Sequence, residues 1–267
     1  MKKLLVLAVI ALSLTLGVIK AFAAPTHWVT PELEAGSIHV ATVPPDTAKP
    51  TATVVAPVLS TNSSKNTTFK VSWSATDPAP SSGIASYNVY YRSLRDTVWR
   101  NFKLATTANH AYFTGSAGNA YLFKATARDY AGNVSPTSSP KQTIIPYDNS
   151  TGIVAHSGFN SVYTNAASSF YNDTVRYSVA GGEYVTYRFT GKSFHLIGTK
   201  GATRSQAKIY IDGVYVRTVD EYSATARFRQ RLYYTGWAAA GTHAIKIENL
   251  ATAGRPRFDI DAIGVER

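Results

Sequence analysis

The sequence predicts an all-β protein built from antiparallel strands, and two observations lead to this prediction. Between residues 185 and 220, apolar and polar side chains alternate in short runs that are separated by glycines. Alternation with a period of two is typical of strands that bury one face. Within this stretch, Asp212-Gly213 separates two runs, and this dipeptide favours the positive φ angles of a two-residue hairpin. No crossover helix is predicted between the runs, so the fold class is an antiparallel β-sandwich.

The N-terminus has the features of a secretory signal peptide over residues 1–23. Lys2 and Lys3 precede a mostly apolar run, which ends at a small-x-small cleavage pattern at residues 21–23. The run is short for a bilayer-spanning helix, so an uncleaved anchor is the less favoured alternative. We therefore expect a secreted or cell-surface protein that contacts a membrane only through the signal peptide, before its cleavage.

Residues 24–50 are rich in Pro, Thr, Ala and Val without sustained periodicity, and this composition predicts a semi-extended linker. The chain contains no cysteine. Because small extracellular domains of eukaryotes commonly contain disulfides, this absence from an exported chain favours a bacterial source. It also excludes thiolate catalysis and cysteine metal sites. The remaining length suits two domains of ordinary size.

Residues 51–146 form the first predicted domain. Phe69, Val71 and Trp73 alternate on one face, and several short strands separated by turn signals describe an immunoglobulin-like sandwich. The strings SWSATDPAPSSGIASYNVYYR and AYLFKATARDYAGNVSP resemble a fibronectin type III domain of bacterial extracellular proteins. The resemblance implies that Trp73 is a core tryptophan, that Tyr121 is the tyrosine-corner residue and that the domain is a spacer or scaffold. A functional aromatic cluster is the alternative role for both residues.

Residues 147–267 form the second predicted domain, which has the size and strand density of a jelly roll. Predicted turns at Gly191 and Gly241 separate some of its strands. The strings YRFTGKSFHLIGTKG, AKIYIDGVYVRTVDEYS, AAGTHAIKIENL and FDIDAIGV resemble, in this order, the galactose-binding-like jelly rolls of secreted bacterial proteins. Many carbohydrate-binding modules belong to that group. The resemblance implies an antiparallel jelly-roll sandwich but no particular ligand, since this fold serves many partners.

The formal net charge of the chain is +11, and residues 49–146 contain ten Lys or Arg against three acids. A basic extracellular protein is attracted to anionic surfaces such as acidic polysaccharides. A nucleic-acid partner is not expected, because the recognisable nucleic-acid-binding motifs are missing. A solvated basic surface without a specific partner is the alternative.

Three arginines, Arg227, Arg229 and Arg231, are spaced by two residues in one predicted strand, so we expect them on one face. The same alternation turns Phe228 toward the core and places Tyr233 beside the arginines, where its ring would stack on a sugar. Guanidinium groups bind carboxylates and phosphates through paired N–H donors, which favours an anionic polysaccharide. A solvated sheet face that resists edge aggregation is the alternative.

Further candidate binding residues lie near predicted turns. Lys200 and Arg204 flank a glycine turn and would supply polar contacts to a ligand. Tyr171 and Tyr222 are expected to expose their rings, since sugar sites combine aromatic side chains with a few polar groups. Trp237 is a binding candidate as well, although core packing is its favoured role.

Asp259 and Asp261 are candidate ligands of a structural calcium ion, which takes about six to eight oxygen ligands. A hydrogen-bonding role is the favoured alternative for Asp261. No other cofactor is expected. The sequence contains no HExxH motif, no Gly-x-Ser-x-Gly elbow and no phosphate-cradling loop, and it shows no convincing pair of catalytic carboxylates. We therefore expect a protein that is not an enzyme.

The expected function is binding of an extracellular or cell-wall polysaccharide by the second domain, with the first domain as a spacer. One alternative is a structural or adhesive surface protein that binds a protein partner. Another is an accessory part of a glycan-hydrolysing enzyme.

Overall fold

A computed structural model of the chain describes residues 44–61, 67–164 and 169–267. These residues form almost entirely β-structure, and the strands of every sheet pair antiparallel, which confirms the predicted fold class. The predicted signal peptide and residues 24–43 of the predicted linker lie outside the described residues. Within the described ranges, no helix has the length and apolar character needed to cross a bilayer.

The first sandwich has its core between two sheets. Its strands are β1 (Thr51–Val55), β2 (Thr68–Thr76), β3 (Ile84–Ser93), β4 (Arg100–Thr106), β5 (His110–Thr114), β6 (Ala120–Asp129) and β7 (Lys141–Ile144). One sheet has the order β1-β2-β5 and the other has the order β4-β3-β6-β7. Phe69 and Val71 from the first sheet and Val89 and Phe123 from the second are buried together, because strand alternation turns each of them inward.

Trp73 and Tyr121 both belong to this core. The indole N–H of Trp73 donates to the carbonyl oxygen of Ala108 at 2.6 Å. The backbone N–H of Ser116 donates to the hydroxyl oxygen of Tyr121 at 3.1 Å, and the tyrosine ring packs on Phe113. The packing roles predicted for both residues are therefore confirmed. Membership of the fibronectin type III family stays a prediction, because several immunoglobulin-like families share this sandwich.

Residues 44–50, at the end of the predicted linker, lie against the first sandwich. The carboxylate of Asp46 accepts the backbone N–H of Ser82 at 2.8 Å, and its carbonyl oxygen accepts the side-chain amide of Asn133 at 3.1 Å. Carboxylate oxygens of Asp46, Asp77 and Asp129 lie within 4.8 Å of one another. The acidic side chains of this part of the chain thus gather at one end of the sandwich.

The second sandwich contains the remaining strands. They are β8 (Tyr147–Asp148), β9 (Ile153–Ser157), β10 (Ser161–Thr164), β11 (Thr174–Ser178), β12 (Tyr184–Lys200), β13 (Gln206–Ile211), β14 (Val214–Asp220), β15 (Arg227–Asn249), β16 (Phe258–Ile260) and β17 (Ala262–Glu266), with a 3₁₀ turn at Tyr171–Asp173. The larger sheet has the order β14-β13-β15-β12-β17-β8, with β9 also paired to β12. The smaller sheet has the order β10-β11-β16.

Strands β12 and β15 form one long ribbon that bends at Gly191. Gly191 pairs with Gly241, whereas Ser193 pairs with Gly236, so residues 237–240 bulge out of β15 at the bend. Pairing resumes on both sides of the bulge. The predicted turns at Gly191 and Gly241 are therefore wrong, because both glycines lie inside continuous strands.

The bend folds the ribbon around a single core. The rings of Phe189 and Phe194, which lie on either side of the bend, stack with centroids 5.4 Å apart. Side chains from both halves of β12 and β15 pack together in this core, along with Phe258 and Ile260 of the smaller sheet. This arrangement is the antiparallel jelly-roll sandwich that the sequence predicted.

The Asp212-Gly213 hairpin is confirmed. Asp212 has φ 51° and Gly213 has φ 85°, and the two residues join β13 to β14. These positive φ angles are those of a two-residue hairpin. The carboxylate of Asp212 also accepts the backbone N–H of Ala244 at 2.8 Å, which ties the hairpin to β15.

We expect Gly191→Ala to lower the free energy of unfolding by about 2–3 kcal/mol. A Cβ atom at Gly191 would lie 2.5 Å from the backbone oxygen of Glu266 and 2.6 Å from Val265, so β17 would have to shift. Gly201→Ala is the control, because a Cβ atom there would lie 3.6 Å from its nearest neighbour, the side chain of Arg204, which is an ordinary van der Waals distance. Urea denaturation measures both changes, and equal losses would contradict the close packing at the bend.

Candidate functional site

Loops of the second sandwich meet at one end of it. The backbone N–H of Ser205 donates to the carbonyl oxygen of Arg257 at 2.6 Å, which joins the loop after β12 to the loop before β16. The backbone N–H of Gly201 donates to the carbonyl oxygen of Glu221 at 2.9 Å, which joins it to the loop after β14. These hydrogen bonds hold three separate loops in a fixed arrangement.

The carboxylate of Asp259 is buried beneath these loops. The Nε of Arg204 donates to its Oδ2 at 2.8 Å, and the Nε of Arg257 donates to its Oδ1 at 2.6 Å. The Asp259 side chain is 0% exposed, so its charge requires these partners. Arg204, predicted to be a polar contact for a ligand, has a side chain that is 15% exposed and serves instead as an internal ion-pair partner.

Glu221 lies beside Asp259 and is also fully buried. Its Oε2 accepts the backbone N–H of Asp259 at 2.8 Å. Burial raises the pKa of Glu221 well above its ordinary value, and the nearby Asp259 carboxylate raises it further. The two carboxyl groups thus share one buried site, in which Arg204 and Arg257 bind Asp259.

Tyr171 does not expose its ring, so the prediction of an exposed aromatic contact is wrong. The ring is 4% exposed and packs with Ile197 and Ala262, and its hydroxyl donates to the carbonyl oxygen of Pro146 at 3.0 Å. Its backbone N–H donates to Oδ1 of Asp261 at 2.7 Å. Burial raises the pKa of Tyr171 to about 12. Tyr171 thus fastens the 3₁₀ turn to the interior.

The two aspartates considered as calcium ligands do not suit a cation. Both oxygens of Asp259 accept N–H groups from arginines, whose positive charges oppose a metal ion. Asp261 is fully buried, and the hydrogen bond that it accepts from Tyr171 confirms its predicted hydrogen-bonding role. Its Oδ2 has no hydrogen-bond partner among the described residues, and burial raises the pKa of Asp261 to about 8.

The arginine row on β15 does not share one face. The register against β12 shifts between Tyr233 and Arg231 and again between Gln230 and Arg227. Arg229, within the second irregularity, has φ 54°, in the left-handed region. The prediction of a single face is wrong, because these bulges interrupt the period of two on which it rested.

Because of these bulges, aromatic residues of β15 lie on the opposite face of the strand from the one predicted. Tyr233 is buried in the core, so it cannot stack on a sugar as predicted. Phe228, predicted to face the core, is 37% exposed and packs edge-on against Phe170 with centroids 5.5 Å apart. Tyr234 is exposed instead, with the guanidinium of Arg231 5.6 Å from its ring centroid.

Trp237 lies in the bulge at the ribbon bend and packs against the core, which confirms its favoured role. Its ring stacks on His243 with centroids 3.9 Å apart and an interplanar angle of 10°. Lys200 pairs with Arg227 where β12 and β15 end beside the loops. These two basic residues remain candidate contacts for a ligand.

The loops present an exposed surface of tyrosines and fixed arginines. The ring of Tyr222 is 53% exposed, and the guanidinium of Arg255 lies 5.2 Å from its centroid. Arg255 donates two hydrogen bonds to Asp220, at 2.6 and 3.0 Å, and this pairing lowers the pKa of Asp220 to about 2. Arg257 lies 4.0 Å from the ring centroid of Tyr177.

We call this region the loop-end surface. It consists of Tyr163, Tyr177, Tyr222, Phe228, Arg255 and Arg257. Of these residues, sequence reasoning selected Tyr222 as a binding candidate and did not select the two arginines. Arg255 and Arg257 lie on either side of Pro256 in a loop. The alternation of side chains that identifies the faces of a strand does not apply there, so the sequence did not indicate that these arginines lie near Tyr222.

A second exposed aromatic surface lies on the outer side of the larger sheet. We call it the tyrosine face, and it consists of Tyr184, Tyr210 and Tyr215. The rings of Tyr210 and Tyr215 lie 5.8 Å apart on neighbouring strands, and Nζ of Lys246 lies 5.0 Å from Tyr210 and 4.7 Å from Tyr184. Lys246 is paired with Glu248 at 2.6 Å, and this face contains no arginine.

No protein-family model matches the chain. It is 29% identical over 108 residues to "A type blood N-acetyl-alpha-D-galactosamine deacetylase" of Flavonifractor plautii, a match that covers 40% of this chain and 14% of the deacetylase. The chain therefore spans only a small part of this curated relative.

Among solved structures, the chain is similar to a family 35 carbohydrate binding module from an environmental isolate, at 16% identity and a TM-score of 0.33. That match covers 46% of this chain and 92% of the module. It is also similar to the CBM36-1 domain of a multidomain xylanase from the hindgut metagenome of Trinervitermes trinervoides, at 14% identity and a TM-score of 0.30. This match covers 46% of this chain and 95% of that domain.

We expect Asp261→Asn to make the protein more stable at alkaline pH. The folded-state pKa of about 8 lies above the ordinary value of 3.8, so the native state keeps a proton that the unfolded chain loses. The contribution of Asp261 to stability therefore falls as the pH rises between these values. The variant should gain roughly 2–3 kcal/mol relative to the unmutated protein between pH 5.5 and 8.5.

Urea denaturation across that pH range measures this difference. Asparagine keeps an oxygen acceptor for the Tyr171 N–H, so the two proteins should differ little at pH 5.5. An unchanged dependence of the unfolding free energy on pH would show that Asp261 is not the titrating group.

Proposed function

We propose that the protein is an exported, non-catalytic glycan-binding protein whose loop-end surface binds an acidic polysaccharide. The observation that supports this function most directly is the exposed Tyr222 ring beside Arg255, an arginine held in place by two hydrogen bonds to Asp220. An aromatic face and fixed guanidinium groups are the two elements that a charged sugar requires.

Each element would contact a different part of the sugar. The apolar C–H face of a pyranose ring would stack on Tyr222, which has a large flat surface and few rotatable bonds. A uronate carboxylate would accept N–H groups of Arg255 or Arg257 that are not used by Asp220 and Asp259. Because the aspartates already orient these arginines, little side-chain entropy is lost on binding.

The acidic side chains beneath the surface favour binding over hydrolysis. A glycosidase requires two carboxyl groups that reach the bond being broken. Glu221 and Asp259 are fully buried, and Asp259 is paired with two arginines, so a sugar on the loop-end surface would not contact them. The acids therefore act in this proposal as supports for the arginines.

The curated relative adds support from sequence. Its name describes an enzyme that acts on a sugar, and its match to this chain covers 14% of its length. A glycan-binding module attached to a larger enzyme would account for such a partial match. Here the first sandwich would act as the spacer that the fibronectin type III resemblance implies.

We expect a glycan array of the full chain to show binding to acidic glycans, and Tyr222→Ala to weaken that binding by about ten-fold. Tyr215→Ala is the matched control, because it removes an equally exposed tyrosine from the tyrosine face. The control should retain its affinity. Isothermal titration calorimetry with the best array ligand measures both variants.

Two outcomes would contradict this proposal. Absence of binding to every neutral and acidic glycan on the array would exclude the function itself. Loss of affinity in Tyr215→Ala with no loss in Tyr222→Ala would place the binding site on the tyrosine face instead.

A further inference from the structure

The outer side of the four-stranded sheet of the first sandwich is polar and basic. Tyr90 lies opposite Lys124, and Asn88 lies opposite Thr126, on the neighbouring strands β3 and β6. Their inward neighbours form the core, so alternation turns these side chains to the outer face. We call this region the basic sheet face, which consists of Ser86, Asn88, Tyr90, Arg92, Lys124, Thr126 and Arg128.

The positive charges on this face are not neutralised by carboxylates. None of the ion pairs formed within the described residues includes Arg92, Lys124 or Arg128. Residues 49–146 contain only three acids. Asp77 and Asp129 gather with Asp46 at one end of the sandwich, and Asp96 is paired with Arg100 at 2.8 Å. The face therefore attracts a negatively charged partner.

The cations follow a line along the strand and do not converge on one point. Lys124 and Arg128 are four residues apart on β6, so they lie about 13 Å from each other along the strand. Beside Arg128 is a shallow hollow of about 150 Å³, which is lined by the polar residues Ser86, Asn88 and Thr126 and by the apolar residues Ala105, Ala127 and Val134. Charges in a row, with hydrogen-bonding groups between them, suit a chain of repeating anionic units better than one small anion.

An aromatic residue stands at one end of this line. Nζ of Lys124 lies 4.2 Å from the ring centroid of Trp99, and the guanidinium carbon of Arg92 lies 5.4 Å from it. Cation–π contacts orient these two side chains without cancelling their charge. Trp99 thus holds two cations close together at one end of the line, where they could bind a carboxylate of the polymer.

We propose that the basic sheet face binds a linear polysaccharide that bears carboxylates, and that the first sandwich is itself a glycan-binding module. This inference goes beyond the proposed function, which assigns binding to the loop-end surface and a spacer role to the first sandwich. Two binding surfaces on one chain would raise the overall affinity for a polymer through effective concentration.

The test uses the full chain and polygalacturonate as the probe, in the Tyr222→Ala background so that the loop-end surface contributes least. The test variant is Lys124→Gln with Arg128→Gln. The matched control is Lys49→Gln with Lys70→Gln, which removes the same charge from exposed positions, Lys70 being on β2 of the opposite sheet. We expect about five- to ten-fold weaker binding in the test variant and less than about two-fold in the control.

Salt titration and competitors complete the experiment. The affinity of the test variant for polygalacturonate should depend less steeply on salt concentration than that of the control variant. Fully methyl-esterified polygalacturonate, which lacks free carboxylates, should not compete with polygalacturonate for binding. A charge-retaining variant, Lys124→Arg with Arg128→Lys, should keep most of the affinity and shows that the positions tolerate substitution.

Several results would overturn the proposal. Equal losses in the test and control variants would mean that net charge alone attracts the polymer. Competition by methyl-esterified polymer would exclude carboxylate recognition, and equally strong competition by double-stranded DNA would indicate unspecific polyanion binding. Because Tyr222 is already removed, failure here is distinct from failure of the loop-end surface, which the array and the Tyr222→Ala variant test separately.

Discussion

The buried carboxylate of Asp259 is the interaction on which the candidate site depends. A buried anion is very unfavourable unless cations and hydrogen bonds surround it. Arg204 comes from the loop after β12 and Arg257 from the loop before β16, so neutralising this one charge fixes two loops. Glu221, on a third loop, accepts the backbone N–H of Asp259, and burial raises the pKa of Glu221 well above its ordinary value. On the loop-end surface, Arg257 is held by the Asp259 carboxylate directly, and Arg255 donates to the carbonyl oxygen of Arg204 at 2.7 Å.

The protein holds its arginines and lysines in two different ways. On the loop-end surface, aspartates orient Arg255 and Arg257 and neutralise part of their charge. On the basic sheet face, Arg92 and Lys124 lie against Trp99, and no carboxylate in the described part of the chain forms an ion pair with them. The first arrangement favours a defined geometry, whereas the second favours long-range attraction that weakens with salt. We propose that the first sandwich approaches a polyanionic surface and that the second recognises a sugar unit.

The fold could be predicted wherever local chemistry and alternation agree. Asp212-Gly213 forms a hairpin because its backbone angles are a local property of the two residues. Trp73 is in the core because its strand keeps a strict period of two. The same rule fails on β15, where bulges near Arg229 shift the register and bury Tyr233. Bulges arise from pairing with a strand that is distant in sequence, and alternation alone does not reveal them.

The candidate site was harder to predict than the fold for a related reason. Tyr222 could be selected because an aromatic residue near a turn is often exposed. Tyr171 met the same criterion, yet its ring is buried, because the 3₁₀ turn is tied to Asp261 across 90 residues of chain. Arg255 gave no local signal, since its position depends on Asp220, which is 35 residues away in the chain. The pairing of Arg257 with Asp259 depends on the burial of that carboxylate, which the sequence does not show.

The antiparallel β class, the Asp212-Gly213 hairpin and the core position of Trp73 follow from the sequence alone, because each depends on backbone preference or on the alternation of apolar side chains. Which arginines a ligand can reach depends instead on the tertiary structure. Arg204 and Arg257 both bind the buried carboxylate of Asp259, whereas Arg92 lies against the ring of Trp99 with no ion-pair partner among the described residues. The partner that each arginine contacts depends on distances between side chains of separate strands and loops. These distances are established only in the folded sandwich.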